Sequence, residues 1–135
     1  MILIFGSNGL FGSFFKKFLK KKKIKYLTVG RKNCDFNGNI LENHFLSNVI
    51  KEINPKTIFN FAAYTNVENC EKNKKLAYKL NADLPKKISK IISSKSYFIH
   101  FSTDHIYSGK GPHKENKVNK LLNTYTKTKF LGEKN

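Results

Sequence analysis

With 135 residues, the chain is long enough for one domain with a single core, and its hydrophobic fraction of 39% argues against disorder. Its formal net charge is +17, yet Arg31 is the only arginine among 26 basic residues and the lysines occur in nearly every segment. Arginine is the residue that reads phosphates and base edges bidentately, so this composition disfavours a nucleic-acid partner despite the charge.

The two cysteines and the N-terminus bear on where the protein works. Cys34 and Cys70 have no CxxC or other paired spacing, so neither a disulfide framework nor a zinc site is indicated. The apolar start is too short for a signal peptide, and no stretch of eighteen apolar residues exists. We therefore expect a cytoplasmic protein without a membrane partner.

The first third of the chain alternates strand and helix patterns. The apolar run 1–5 ends at a glycine, as a strand buried in a parallel sheet does, and apolar residues at helical spacing follow over 10–19. A second strand is predicted over 24–29, with a short extended piece at 35–36. This order is typical of a strand, a tight turn, a helix and a second parallel strand.

The same alternation continues to the end of the chain. The pattern predicts a helix over 45–53 that Asn54-Pro55 ends, a strand over 57–63, a helix over 67–94 that Pro85 interrupts, a buried strand over 97–101, a polar loop over 104–119 and a helix over 124–133. Strands joined by helices pair in parallel through right-handed crossovers. The predicted fold is a doubly wound α/β sheet in a single domain, residues 1–135.

The first motif with chemical meaning is Gly6-x-x-Gly9-x-x-Gly12, between the first strand and the first helix. A tight turn, a close approach to a pyrophosphate and close helix packing each require a missing side chain there. The helix N-terminus also offers free N–H groups to phosphates. The motif favours dinucleotide binding, and the alternative is a glycine-rich turn that binds nothing.

The end of the second strand bears on the choice of dinucleotide. Proteins that bind NAD usually place an acidic residue there for the ribose hydroxyls, whereas this chain has Gly30-Arg31-Lys32. A cation suits a 2′-phosphate, so Arg31 favours NADP(H) over NAD(H). The alternative is that Arg31 is one more surface cation.

A second motif, Tyr125-x-x-x-Lys129, places a phenol and an ammonium on one helix face. The ammonium stabilises phenolate, which would make Tyr125 a usable proton donor to a ketone. Ser102-Thr103-Asp104 follows a strand, at the sheet edge where ligands bind in such folds.

Four segments together resemble the dTDP-4-dehydrorhamnose reductases among the extended short-chain dehydrogenases. They are ILIFGSNGLFG, FNFAAYTNVENCEKNKKLAYKLNADLPKKIS, FIHFSTDHIYSG and LLNTYTKTKFLGEK, in that order. The resemblance covers almost the whole chain. It implies a Rossmann fold and NADPH-dependent reduction of the C4 keto group of a nucleotide-linked deoxysugar, a step of dTDP-rhamnose biosynthesis.

The resemblance also implies roles for individual residues. Those at the cofactor are Gly6, Gly9, Leu10 and Phe11 around the pyrophosphate, Asp35 and Phe36 beside the adenine, and Ala62, Ala63 and Tyr64 along the inner edge. The glycine motif and the end of the second strand add Gly12 and Arg31 to this set. Thr103 would bind the substrate carbonyl beside Asp104. Tyr125 would protonate the carbonyl, and Lys129 would hold the nicotinamide ribose.

Departures from the family pattern limit what the resemblance implies. Phe14 stands where some members have a glutamate used in a metal-assisted dimer contact, so no metal is expected. His105 replaces a tyrosine and Leu121 a proline, which leaves the sugar open. Family members continue past the Tyr-Lys helix with further strands and a substrate domain. We therefore expect an N-terminal part that is inactive alone.

Several alternatives stay open at this point. The chain could be part of another extended short-chain dehydrogenase, such as a nucleotide-sugar epimerase or dehydratase, because these share the glycines and the Tyr-Lys pair. It could also be a non-catalytic dinucleotide-binding module, like the relatives that regulate methionine adenosyltransferase. A homodimer and a complementing C-terminal half are the two partner arrangements that the resemblance leaves open.

Overall fold

The computed structural model describes residues 1–115 and 120–134. Its strands are β1 (Ile2–Phe5), β2 (Tyr26–Gly30), β3 (Phe36–Asn37), β4 (Thr57–Asn60) and β5 (Tyr97–His100). Its α-helices are α1 (Leu10–Lys21), α2 (Asn43–Ile53), α3 (Val67–Lys72), α4 (Lys74–Tyr78), α5 (Leu84–Ile91) and α6 (Thr124–Glu133). A π-helical turn (Lys79–Asp83) and a 3-10 turn (Asp104–Ile106) complete the elements.

The five strands form one parallel sheet in the order β3-β2-β1-β4-β5. The chain therefore starts in the middle of the sheet, builds outward to one edge and then crosses to the other side of β1. This order is that of a doubly wound fold, which places the ends of β1 and β4 next to each other at a topological switch point. The predicted fold class is confirmed.

The chain divides into two compact units. The first comprises Met1–Ala62 and Lys86–Phe101, and it contains the whole sheet. Its core consists of strand and helix residues that are at most 4% exposed: Leu3, Ile4, Phe5, Leu19, Val29, Leu46, Val49, Ile50, Ile58 and Ile88. Burial of these apolar side chains, each worth roughly 2 kcal/mol, supplies the main driving force for this unit.

The second unit comprises Ala63–Pro85 and Ser102–Asn135. In it α6 packs against the π-helical turn, α3, α4 and the 3-10 turn. The sequence of α6 is largely polar, but the helix is buried on most sides, and Thr126 and Thr128 are at most 1% exposed. Hydrogen bonds must therefore satisfy its buried polar groups.

The helix predicted over 67–94, with an interruption at Pro85, is wrong in where it breaks. It breaks at Asn73, which leaves the helical conformation and whose side-chain oxygen accepts from the Leu76 N–H to begin α4. Pro85 does not interrupt the helix but lies in the first turn of α5. A proline is tolerated in a first turn because its missing N–H needs no partner there, and the wider π-helical turn precedes it.

The strands also differ from their predicted bounds. The second strand begins at Tyr26 instead of Ile24, because Lys23 adopts a left-handed conformation (φ 56°) after α1. The fourth ends at Asn60, whose side chain accepts from the Ala62 N–H and turns the chain. The fifth is an edge strand with Tyr97 74% exposed, so the prediction of a buried strand is wrong.

In the described part of the chain, no helix combines the length and the apolar character that a membrane span requires.

Candidate functional site

The three glycines of the loop between β1 and α1 have different structural roles. A Cβ on Gly6, at φ +71°, would lie 2.6 Å from the Phe61 carbonyl carbon, and one on Gly12 would lie 2.7 Å from the Ser7 Cα. Real Cβ atoms essentially never approach within 3.0 Å. A Cβ on Gly9 would meet nothing closer than the Gly6 carbonyl oxygen at 3.4 Å. The fold therefore requires Gly6 and Gly12, whereas a Cβ at Gly9 would make only an ordinary van der Waals contact.

Helix α1 begins directly after this loop, and no side chain caps its N-terminus. Gly9 occupies the N-cap position and has no side chain, and the first turn contains no acidic residue. The first N–H groups of a helix need an acceptor, and the helix dipole favours an anion there. Leu10 and Phe11, each 71% exposed, follow directly. A pyrophosphate fits this end of the helix as the missing acceptor.

The turn after β2 carries the predicted cation. Arg31 is exposed and Phe36 is half-buried in β3. The Asp35 carboxylate accepts from both the N–H and the hydroxyl of Thr28, at 2.8 and 2.7 Å. Asp35 therefore joins the start of β3 to β2, a role that the sequence reasoning missed because a hydrogen bond across a turn leaves no periodic pattern.

Ala62 closes the glycine loop from the side of β4. A Cβ on Gly6 would lie 2.8 Å from the Ala62 Cα, so the two backbones touch. The Asn60 amide holds this segment, since its oxygen accepts from Ala62 and its nitrogen lies 3.1 Å from His100 Nδ1. The structure thus brings Ala62 and the glycine loop together within the first unit.

In the second unit, Asn81 fixes the position of Tyr64. The fully buried Asn81 amide accepts from the Tyr64 N–H at 2.8 Å and donates to the Tyr64 carbonyl at 3.0 Å. It also lies within hydrogen-bonding distance, 3.1 Å, of the Thr128 hydroxyl on α6. Sequence reasoning missed Asn81, although a polar residue inside an apolar helical stripe was a signal. Ala63 lies half-buried just before this cluster.

We expect the Asn81→Ala variant to lose roughly 3 kcal/mol of unfolding free energy, because it leaves several buried polar groups without a partner. Urea unfolding followed by circular dichroism measures the loss. Asn66→Ala is the matched control: Asn66 is exposed and caps α3 through one hydrogen bond, so we expect a loss of about 1 kcal/mol. Equal losses in the two variants would contradict the role assigned to Asn81.

The structure places Tyr125 and Lys129 on one buried face of α6. Tyr125 is 9% exposed and packs with Cys70 and Ala77, while Tyr64 lies against this cluster. Lys129 is 2% exposed, and its burial lowers the pKa of its ammonium to about 8. The carboxylate of Glu133, one turn further along, acts in the opposite direction. The helix thus places the two residues at i, i+4 on one face, as their spacing predicted.

The 3-10 turn brings the other predicted residues of the second unit to Tyr125. Thr103 caps this turn, and its hydroxyl accepts from the His105 N–H at 3.3 Å. The His105 ring meets the Tyr125 ring edge-on, with 6.1 Å between centroids. Asp104 is exposed in the same turn. Asp104 and Thr103 therefore lie one and two residues before His105, which is a direct contact of Tyr125.

The start of α6 is anchored from α3. The Glu71 carboxylate accepts from the Thr124 N–H at 2.6 Å, and this hydrogen bond holds the pKa of Glu71 below its ordinary value. The Asn123 side chain caps the helix reciprocally with Thr126. At the other end, the Ser102 hydroxyl donates to the Glu133 carboxylate. These contacts fix the orientation of α6 and hence of Tyr125.

Among residues 1–115 and 120–134, no cluster of three or more His, Cys, Asp or Glu side chains is arranged to hold a metal ion.

Comparison with known proteins places the chain in a family. The family model described as the RmlD substrate binding domain matches residues 1–135. The dTDP-4-dehydrorhamnose reductase of Salmonella typhimurium is 32% identical over 136 residues, which cover 98% of this chain and 45% of that protein. The chain thus spans less than half the length of this curated relative.

Two solved structures extend the similarity to the fold. A hypothetical dTDP-4-dehydrorhamnose reductase from Sulfolobus tokodaii is 30% identical, with a TM-score of 0.89 over 98% of this chain and 50% of that one. The dTDP-4-dehydrorhamnose reductase of Bacillus anthracis in complex with NADP is 27% identical, with a TM-score of 0.84 over 98% and 47%. The chain therefore belongs to the RmlD family, whose curated and solved members include dTDP-4-dehydrorhamnose reductases.

Proposed function

We propose that this chain is the dinucleotide-binding part of an NADPH-dependent reductase that acts on a 4-keto nucleotide sugar. The observation that carries the proposal is the glycine loop. Close packing requires Gly6 and Gly12, whereas the packing would admit a Cβ at Gly9, which begins a helix without a side-chain cap. A loop that only turned the chain would tolerate a side chain at position 9. A bound pyrophosphate explains the glycine, because the backbone must approach it closely.

The cation at the end of β2 supports NADP(H) as the dinucleotide, with NAD(H) as the alternative. Arg31 and Lys32 are exposed in the turn where the adenosine ribose binds in this fold. A guanidinium or an ammonium there forms charge-assisted hydrogen bonds with a 2′-phosphate. The relative from Bacillus anthracis was solved in complex with NADP, which agrees with this preference. In the same proposal, Asp35 and Phe36 flank the adenine.

The second unit supplies the groups for proton transfer. Thr103 hydrogen-bonds the substrate carbonyl, with Asp104 beside it, and Tyr125 donates a proton to the carbonyl oxygen. The Lys129 ammonium, which shares its helix face, favours the phenolate that remains. When bound, NADPH supplies the hydride, and the residues of the chain supply orientation and the proton. Ala62, Ala63 and Tyr64 line the dinucleotide.

We further propose that residues 1–135 bind the dinucleotide alone but reduce a sugar only with more protein. The reductase from Salmonella typhimurium has more than twice the length that this chain matches. Orienting a bulky nucleotide sugar and excluding water require contacts on all sides of it. A complementing C-terminal half, or a second copy in a homodimer, would provide them. Such an enzyme would work in the cytoplasm, which suits two free cysteines.

The test is titration of the purified 135-residue chain with NADPH and NADH, by nucleotide fluorescence or calorimetry. We expect saturable NADPH binding that falls by tenfold or more in the Gly9→Asp variant, since one close like-charge contact costs on the order of 1 kcal/mol or more. Aspartate is a favourable N-cap residue, so this variant should keep the helix while its carboxylate repels the pyrophosphate.

Circular dichroism and urea unfolding of both proteins control for the fold. Equal NADPH affinity of the wild type and the Gly9→Asp variant would contradict a pyrophosphate at this loop. A folded wild type that binds neither nucleotide would contradict dinucleotide binding by this chain.

A further inference from the structure

A polar cross-link joins the glycine loop to the turn after β2, and both lie in the first unit. The Asn8 amide donates from Nδ2 to the Lys32 carbonyl oxygen at 2.9 Å, and the same nitrogen lies 3.6 Å from Cys34 Sγ. Beside it, Ser7 Oγ and Cys34 Sγ are 3.5 Å apart. Two consecutive residues of the loop are therefore bonded to two residues of the turn.

The turn itself is held by hydrogen bonds around Cys34. Its thiol donates to the Lys32 carbonyl at 3.4 Å. The Asn37 side chain accepts from the Cys34 N–H at 3.0 Å and donates to its carbonyl at 2.9 Å. A Cβ on Gly30 would lie 2.9 Å from the Cys34 sulfur, so the turn packs closely on the end of β2. Arg31 and Lys32 thus project from a backbone with a defined conformation.

Both polar atoms of the Asn8 amide are used. Its oxygen accepts from the Lys16 ammonium on α1 at 3.1 Å, while its nitrogen donates to the turn. An amide can accept from a cation and donate to a carbonyl at the same time, whereas a carboxylate cannot donate. This division of partners fixes the orientation of the amide, and it explains why asparagine suits position 8.

We propose that Asn8 is a positioning residue that sets the preference of this chain for NADPH over NADH. The inference rests on the proposed function. NADPH carries two anionic groups on its adenosine side, the pyrophosphate for the glycine loop and the 2′-phosphate for Arg31 and Lys32. The ribose fixes the distance between these groups, so a loop and a turn that are already linked lose little freedom on binding. NADH lacks the 2′-phosphate, so its affinity does not depend on how well the turn positions Arg31 and Lys32.

The experiment compares the dissociation constants of NADPH and NADH for the wild type and the Asn8→Ala variant. Without the cross-link, NADPH binding must order the turn that carries Arg31 and Lys32, so we expect NADPH to bind roughly tenfold more weakly to the variant, and NADH at most about twofold more weakly. The ratio of the two constants should therefore fall about fivefold. This ratio is the decisive readout, because a merely structural loss would weaken both nucleotides equally.

Three further variants make the result specific. Asn8→Asp keeps an acceptor for Lys16 but cannot donate to Lys32, and we expect its ratio to fall as in Asn8→Ala. Asn8→Gln keeps the amide and should retain most of the ratio. Ser13→Ala is the matched control, since the Ser13 hydroxyl donates to Leu10 within α1 and takes no part in the cross-link. Its ratio should equal that of the wild type.

Three results of these titrations would overturn the role of Asn8. Asn8 is exposed, so the variants should unfold like the wild type, and urea unfolding checks this. A wild type that binds NADPH more tightly than NADH, with the same ratio in Asn8→Ala, overturns the role of Asn8 and leaves the proposed function intact. Equal affinity of the wild type for both nucleotides also overturns it. A wild type that binds neither nucleotide overturns the proposed function and this inference together.

Discussion

The Gly12→Ala variant should lose roughly 3 kcal/mol or more of unfolding free energy. Its new Cβ would meet the Ser7 Cα at 2.7 Å and would lie even closer to the Gly6 carbonyl. Both obstacles are backbone, which cannot turn away as a flexible side chain would, so α1 must move from the end of β1. Overpacking at a site of this kind costs about 1 to 3 kcal/mol even where side chains can adjust.

Urea unfolding of the wild type and of alanine variants at the three glycines measures this effect. Gly6→Ala should be as damaging as Gly12→Ala, because a close contact adds to an unfavourable positive φ. Gly9→Ala is the matched control. Its conformation (φ −74°) suits any residue and its Cβ has room, so we expect a loss of about 0.5 to 1 kcal/mol from the weaker N-cap. Similar losses at all three positions would contradict the separation of roles within the motif.

This separation has a functional meaning. In a sequence, the three glycines look equivalent, and each is compatible with a tight turn, a close helix or a nearby phosphate. In the structure, close packing accounts for Gly6 and Gly12 but not for Gly9, which the proposed function explains by the approach of a pyrophosphate. Stability and NADPH affinity should therefore respond to different positions of one motif, which makes the two roles experimentally separable.

The parts of the fold that were predictable from the sequence depend on local and periodic signals. The apolar run that became β1, the helical spacing of α1 and the i, i+4 pair of Tyr125 and Lys129 all act over a few residues. The order of strands and helices then restricts the topology, because parallel crossovers have one hand. These signals suffice for the fold class and for the position of the glycine loop.

What the sequence could not predict depends on single hydrogen bonds to distant or irregular backbone. Asn73 ends one helix and caps the next, and the helical pattern over 67–94, which suggested an interruption only at Pro85, gave no sign of this break. Asn81 reaches from the π-helical turn to Tyr64 and to Thr128, 47 residues away. Asp35 bonds to Thr28 across a turn. Each is one polar residue whose partner is defined only once the chain has folded.

Burial of Lys129 predicts a pH-dependent stability. Its pKa is about 8 in the folded chain, against an ordinary 10.5. Below pH 8 the ammonium is charged in both states, and folding bears the net cost of burying it, which Glu133 partly offsets. Between pH 8 and 10.5 the unfolded chain binds the proton and the folded chain does not, so stability rises with pH. The contribution of Lys129 to stability is therefore most favourable above pH 10.5, and this gain is lost as the pH falls through about 8.

The Lys129→Met variant isolates this effect, because its side chain is similar in length and carries no charge. A shift of this size corresponds to roughly 3 kcal/mol, so the unfolding free energy of the variant should exceed that of the wild type most at pH 7. The advantage should shrink by about that amount as the pH approaches 10.5. Contributions that the two proteins share cancel in the difference. Urea unfolding of both at several pH values measures it.

A difference between the two proteins that stayed constant with pH would contradict a lowered pKa at Lys129. The expected result instead means that this chain keeps a destabilising buried ammonium where an apolar side chain would be more stable. Such a cost is expected at functional positions, where activity and stability conflict. Lys129 shares its helix face with Tyr125, and a cation there is what the proposed proton donor needs. The stability measurement therefore tests, without any substrate, whether the folded second unit buries the Lys129 ammonium at a cost in stability.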